Sequence, residues 1–192
     1  MSKAVWIIRD EHQRYGAVLN LVRNLITKAD AGPATIDVDL LDLAFDYIVD
    51  FIDTYHHPKE DDYLFRLVRR RSPEADAIIA ELEREHGDGE RKISALRLLL
   101  DRLRQDRTDE HFMAFKAAAL DYIDFEAQHA MKENDWLLPI AERVLTPADW
   151  SEIEAAFADN DDPAFGDRPR AKFTAMMARI VRRAPAPYGY RT

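Results

Sequence analysis

The stretch Phe51-Ile52-Asp53-Thr54-Tyr55-His56-His57-Pro58-Lys59-Glu60-Asp61-Asp62-Tyr63-Leu64 decides how the chain is read. Ile52, His56, Glu60 and Leu64 stand four residues apart, so on a helix they line one face. The apolar residues at both ends of that line turn it toward a core. The imidazole and the carboxylate between them are then carried inside. A buried, unpaired carboxylate costs several kcal/mol, comparable with the whole stability of a small domain, and needs a compensating charge.

Working outward, the same line recurs as Phe125, His129 and Glu133, after which Trp136 and Leu137 resume the apolar stripe. Single histidines take the equivalent place on two further stripes, in Ile8, His12 and Tyr15 and in Leu82 and His86. One inward histidine is usually an ordinary core residue. Four in phase, two of them with a carboxylate one turn on, point to a metal site built from His12, His56, Glu60, His86, His129 and Glu133. These nitrogen and oxygen donors suit iron or manganese, with zinc also possible. Glutamates that offer two oxygens each can bridge, which favours two ions over one.

His57 pairs with Asp61 at the same four-residue step, so His57 and Asp61 are the alternative to His56 and Glu60. Helical phase favours His56, although Pro58 can shift that phase locally. Glu126 lies three residues before His129 and Glu90 four after His86, close enough to approach the metals or to orient an imidazole. Tyr15 and Tyr122 ride on inner stripes, where packing is the ordinary role and a hydrogen bond to a metal-bound oxygen the functional one. His111 falls in a polar first turn and reads as a surface residue.

The remaining pattern is helical throughout. Apolar residues recur at three- and four-residue steps from Lys3 to Ala29, until Asp30-Ala31-Gly32-Pro33 interrupts them. A second run starts near Thr35 and stops at Ser72-Pro73, with a kink expected at Pro58. Ser72 as N-cap with Pro73 after it opens a third helix, loosened in its middle by Gly87 and Gly89. Thr108 opens a fourth that ends around Val144. Short connections make the four antiparallel neighbours, giving an all-α, antiparallel four-helix bundle over residues 1–145. Thr146-Pro147 begins a short fifth helix, a polar loop with Asn160, Asp161, Asp162, Pro163 and Gly166 follows, and Phe173 to Val181 form a sixth. These two short additional C-terminal helices make an extension, 146–183, packed on the bundle, followed by a flexible tail, 184–192.

The charge balance, 36 acidic against 27 basic residues, argues against nucleic acid or an anionic membrane as partner. The absence of cysteine excludes disulfides, thiolate metal sites and cysteine nucleophiles. Arg9, Asp10 and Glu11 interrupt the N-terminal segment before a signal peptide or membrane span can develop, so the cytoplasm is the expected location.

With these residues in view, the chain resembles the hemerythrin family in its HHE cation-binding branch. The resemblance is carried by Asp10-Glu11-His12, by His56-His57-Pro58-Lys59-Glu60-Asp61 with Tyr63-Leu64-Phe65 behind it, by Glu85-His86, and by His129 to Glu133 followed by Leu137-Leu138-Pro139. It spans about Trp6 to Phe157. It implies two iron ions joined by an oxo or hydroxo bridge, His12, His56, His86 and His129 as terminal ligands, and Glu60 and Glu133 as bridges. The oxygen carriers of the family have five histidines and one open iron. The four well-phased histidines here resemble the more symmetric branch that includes iron–sulfur repair proteins, which often carry a cysteine-bearing segment not seen here.

The resemblance implies a small gas ligand, dioxygen or nitric oxide, bound for sensing, scavenging or delivery. Two other classes compete with it: a redox enzyme that turns over peroxide or nitric oxide or releases iron for cluster repair, and an iron store or sensor. No protein partner is identified by the sequence.

Overall fold

The computed structural model describes residues 2–29, 32–158 and 169–189. α1, Lys3–Thr27, starts at Ser2, whose hydroxyl accepts from the Ala4 N–H and donates to Glu154 at 2.7 Å. Gly32 takes φ +85°, in the left-handed region open to glycine, where the chain turns back. Asp37 accepts from the Leu40 N–H at 3.0 Å and caps α2, Val38–Ile48.

From α2 the chain stays helical through two π segments, Val49–His56 and Glu60–Phe65, which flank the short α3, His57–Lys59, and lead into α4, Arg66–Arg71. Pro58, where the sequence leads one to expect a kink, lies in α3 between them. A proline lacks the N–H and crowds the carbonyl four residues back, and a turn widened to i→i+5 bonding relieves both. The fourth helical run repeats the device: α6, Asp109–Lys132, passes through a π segment, Glu133–Leu137, into α7, Leu138–Val144, which carries Pro139.

Ser72, expected as an N-cap, is buried and makes no capping bond with its side chain. A 3-10 turn over Pro73–Ala75, closed by the Ala75 N–H on the Ser72 carbonyl, stands between it and α5, Asp76–Gln105. α5 runs unbroken past both of its glycines. Thr108 does cap α6, accepting from the His111 N–H at 3.2 Å. Arg107, beside it, donates to the carbonyls of Pro33, Ala34 and Ile36, tying the α5–α6 turn to the α1–α2 connection.

α1 and α5 each pack against both α6 and the α2 run, which closes a four-membered bundle. Its core is divided. One apolar compartment holds Tyr15, Val22, Phe45, Ile48, Ile93, Leu100, Phe115 and Tyr122. The other holds Ile8, Leu64, Phe65, Leu82, Leu137 and Leu138. On α1 His12 falls between Ile8 and Tyr15, and on α5 His86 falls between Leu82 and Ile93, so a polar layer separates the two compartments.

The C-terminal helices serve different compartments. α8, Pro147–Ala158, adds Ile153 and Phe157 to the second, and α9, Pro169–Arg183, adds Met176 and Ile180 to the first. Thr146 and Asp149 cap each other at the start of α8, and Arg71 grips both Asp149 oxygens at 2.8 and 2.9 Å. Past α9 the chain turns, and Tyr188 packs on the core, its hydroxyl accepting from Asn24 at 2.6 Å. Asp30, Ala31, the expected polar loop at Asn160, Asp161, Asp162, Pro163 and Gly166, and tail residues 190–192 lie outside the described residues. No described helix is long and apolar enough to cross a membrane.

Candidate metal centre

The polar layer gathers side chains from all four helical runs. His12 comes from α1, His56, His57 and Glu60 from the run after α2, His86 from α5, and His129 and Glu133 from α6 and its π extension. All are buried. They form two groups, His57, Glu60, His86 and His129 on one side and His12, His56, Glu60 and Glu133 on the other. Within each group, one donor atom per residue lies within 4.8 Å of all the others.

The two carboxylates divide their oxygens between the groups. Glu60 Oε1 stands 3.3 Å from His56 Nε2 and 3.8 Å from His12 Nε2, while its Oε2 stands 3.8 Å from His86 Nε2. Glu133 Oε2 lies 3.1 Å from His12 Nε2 and its Oε1 3.5 Å from His129 Nε2.

Outer partners set the direction of four imidazoles. Glu11 takes His56 Nδ1 at 2.8 Å, Asp61 takes His86 Nδ1 at 3.0 Å, Glu85 takes His129 Nδ1 at 3.0 Å, and Asn134 Oδ1 takes His12 Nδ1 at 3.2 Å. Each partner is the chain neighbour of a cluster residue on one helical run and holds a histidine of the next: Glu11 beside His12, Asp61 beside Glu60, Glu85 beside His86, Asn134 beside Glu133. The four bonds therefore close a ring around the bundle. Lys132 anchors Glu85 in turn.

A carboxylate or an amide oxygen only accepts, so each Nδ1 carries the proton and each Nε2 presents a lone pair inward. Burial lowers the His56 pKa against the pull of Glu11, and burial followed by His86 and His129 lowers that of His57 further, so both stay neutral. His57 stacks on His86 with ring centroids 3.9 Å apart, and neither of its nitrogens has a hydrogen-bond partner. His12 Nε2 and His56 Nε2 approach to 3.2 Å. With Nδ1 protonated on both, that contact sets two lone pairs face to face. Both oxygens of Glu60 and of Glu133, and Nε2 of His86 and His129, are also buried without a partner. The layer thus turns the lone pairs of four imidazoles and the oxygens of two carboxyl groups toward one another, and cations fit such a set.

The carboxyl energetics agree. Burial, and after it Glu133, raise Glu60 well above the ordinary range. Burial also pushes on Glu133, but the imidazoles of His129, His12 and His86, when protonated, outweigh it and hold Glu133 low, as cations in the same place would.

A family model for the hemerythrin HHE cation binding domain matches residues 3–141. The chain belongs to the hemerythrin family. The match covers α1 to within α7, so the whole hemerythrin polar layer lies inside it and α8 and α9 lie beyond it. No curated protein matches the chain.

Within this hemerythrin fold, the sequence-derived residues His12, His56, Glu60, His86, His129 and Glu133 all reach the layer. Helical phase set His56 against His57, and the structure brings both in, because the π segments on either side of α3 change the angular step on which that choice rested. Asp61 stands outside, as the acceptor for His86. Glu90 is exposed. Glu126 is buried but belongs to neither group, and Gly89 makes room for it, since a Cβ there would lie 2.9 Å from Glu126 Oε1. Burial and then Asp53 raise the Glu126 pKa to about 8; burial and then Glu90 raise Asp53 to about 7. His111 sits at the surface and bonds the Asp106 carbonyl.

Sequence reasoning passed over Glu11, Glu85 and Asn134. The signal available was an acidic or amide residue directly beside a candidate ligand, in Glu11-His12, Glu85-His86 and Glu133-Asn134, as in Glu60-Asp61.

Proposed function

We propose that the chain holds two iron ions in this layer and binds dioxygen or nitric oxide there, for sensing, scavenging or delivery. His57, His86 and His129 would hold one ion, His12 and His56 the other, with Glu60 and Glu133 shared between them. The observation that carries this reading is the convergence of five imidazoles and two carboxylates, with ring nitrogens of His57, His86 and His129 and all four carboxylate oxygens lacking a hydrogen-bond partner, in a layer closed off by apolar compartments.

The three-to-two division of imidazoles supports an uneven pair, closer to the five-histidine oxygen carriers than the four phased histidines of the sequence suggest. Iron in this setting supplies reversible redox change and an exchangeable coordination position. The chain's own part is to keep the imidazoles neutral and aimed inward through Glu11, Asp61, Glu85 and Asn134, and to surround the layer with apolar walls that admit small neutral gases.

Anaerobic reduction of the iron-loaded protein, followed by dioxygen and then nitric oxide under an absorbance monitor, tests the reading. A stable oxygenated or nitrosyl band is expected. Rapid irreversible oxidation with peroxide consumption would make the centre a redox enzyme instead, and no spectral response would point to manganese or zinc in a storage or structural role.

A further inference from the structure

Four of the five imidazoles in the layer are aimed by an acceptor on another helical run, and His57 is the exception. Its ring stacks on His86 with 12° between the planes. Stacking sets the plane of a ring and gives its N–H nothing to bond. His57 Nδ1 faces Asp53, whose Oδ1 lies 3.9 Å away, and both atoms are buried without a hydrogen-bond partner. Asp53 belongs to neither metal group, its side chain is 9% exposed, and among the described residues no other basic side chain pairs with it.

The two residues stand four apart on the same run, Asp53 in the π segment Val49–His56 and His57 at the start of α3. On a regular α-helix that step brings two side chains into line. A π turn changes the angular step, and here the pair is left about 1 Å too far apart for a hydrogen bond. A buried donor and a buried acceptor left unmade are each costly, and a modest side-chain rotation closes a gap of this size. A metal on Nε2 draws electron density from the ring and makes the Nδ1 proton a stronger donor. Metal-bound imidazoles are for that reason regularly bonded through the other nitrogen to a carboxylate or a carbonyl. Asp53 is the acceptor that stands in reach of His57.

We propose that Asp53 is a positioning residue for the ion of the three-histidine group: it accepts from His57 Nδ1 once a metal takes Nε2, and thereby sets how tightly that ion is held and how readily it is reduced. The two groups then differ in kind. Glu11 and Asn134 already hold His56 and His12 in the metal-free chain, whereas one of the three imidazoles on the other side is locked only when metal arrives. This inference rests on the two-metal reading and adds to it a fifth outer acceptor that acts on one ion alone.

The test titrates the full chain anaerobically with ferrous iron against a chelator, and measures the reduction potentials of the loaded protein and the urea unfolding of the metal-free one. Asp53→Leu branches at the same atom and removes the acceptor. It should hold one ion as tightly as wild type and the other about 10- to 100-fold more weakly. The potential of the weakened iron should rise, because its imidazole loses the carboxylate that made it a stronger donor to ferric iron. The metal-free variant should be at least as stable as wild type, since a buried unpaired carboxyl has given way to an apolar group. A merely structural residue would lower stability and both affinities together. Asp53→Asn keeps an oxygen in place, so it should recover most of the affinity and show a smaller rise in potential, at one iron only. If Asp53→Leu does not fold, that potential decides the matter. Two ions held as in wild type by Asp53→Leu, both ions weakened equally, or potentials unmoved in Asp53→Asn overturn the inference and leave the metal reading standing. A wild type that takes no metal overturns both.

Discussion

Replacing Glu126 with glutamine should make the metal-free protein more stable at neutral pH and leave it unchanged in mild acid. Glu126 is 1% exposed, and burial, with Asp53 behind it, raises its pKa from 4.5 to about 8. An unfolded chain releases that proton near the ordinary value, so between the two pKa values the native state holds a proton that the unfolded state lacks. Stability therefore falls as pH rises through this window, by about 1.4 kcal/mol per pH unit for one group. Between pH 5 and pH 7.5 the loss comes to roughly 3 kcal/mol. Glutamine keeps the shape and cannot titrate, so Glu126→Gln removes this loss. Urea unfolding of the metal-free full chain, at half-unit steps from pH 5 to pH 8, should give two stability curves that meet near pH 5 and diverge to roughly 3 kcal/mol by pH 7.5. Asp53, with its pKa raised to about 7, adds its own slope to both curves, and the difference between them carries Glu126 together with its repulsion from Asp53. Curves that run parallel across the range would refute the reasoning.

Other perturbations separate the parts of the account. His57→Ala should lower bound iron from two ions per chain toward one, because the His12 and His56 group does not contain it; metal analysis after loading reads this directly. Glu11→Gln weakens the acceptor that fixes His56, so iron affinity should drop by about 10- to 100-fold in a competition titration with a chelator, while unfolding in urea stays close to wild type. Asp149→Ala removes the cap of α8 and its paired grip on Arg71, and should cost about 1–2 kcal/mol in urea unfolding with iron content unchanged.

Much of this molecule is legible before it is folded. The histidine at the midpoint of each apolar stripe, with Glu60 and Glu133 one turn beyond two of them, locates the layer because an α-helix keeps a constant angular step. Where that step changes, the reading loses its grip. His57 looks like the rival of His56 on an ideal helix, and only the widened turns around α3 let neighbouring imidazoles both face inward. The ring of outer acceptors was hidden for a different reason. Glu11 holds a histidine 45 residues away and Asn134 one 122 residues away, and no local periodicity encodes such partners. Ser72 failed as an N-cap because the chain inserts a 3-10 turn at Pro73 before α5 begins. Gly89 reads as a weak point in a helix, yet its missing side chain is what allows Glu126 to be buried across from it.

The claim that the polar layer is a two-metal site is tested most directly by counting. Anaerobic dialysis of the full chain against ferrous iron, followed by metal analysis, should find two ions per chain in the wild type and none in the Glu60→Ala, Glu133→Ala double variant, which lacks both shared carboxylates. A wild type that retains one ion or none, or a double variant that still retains two, would contradict it.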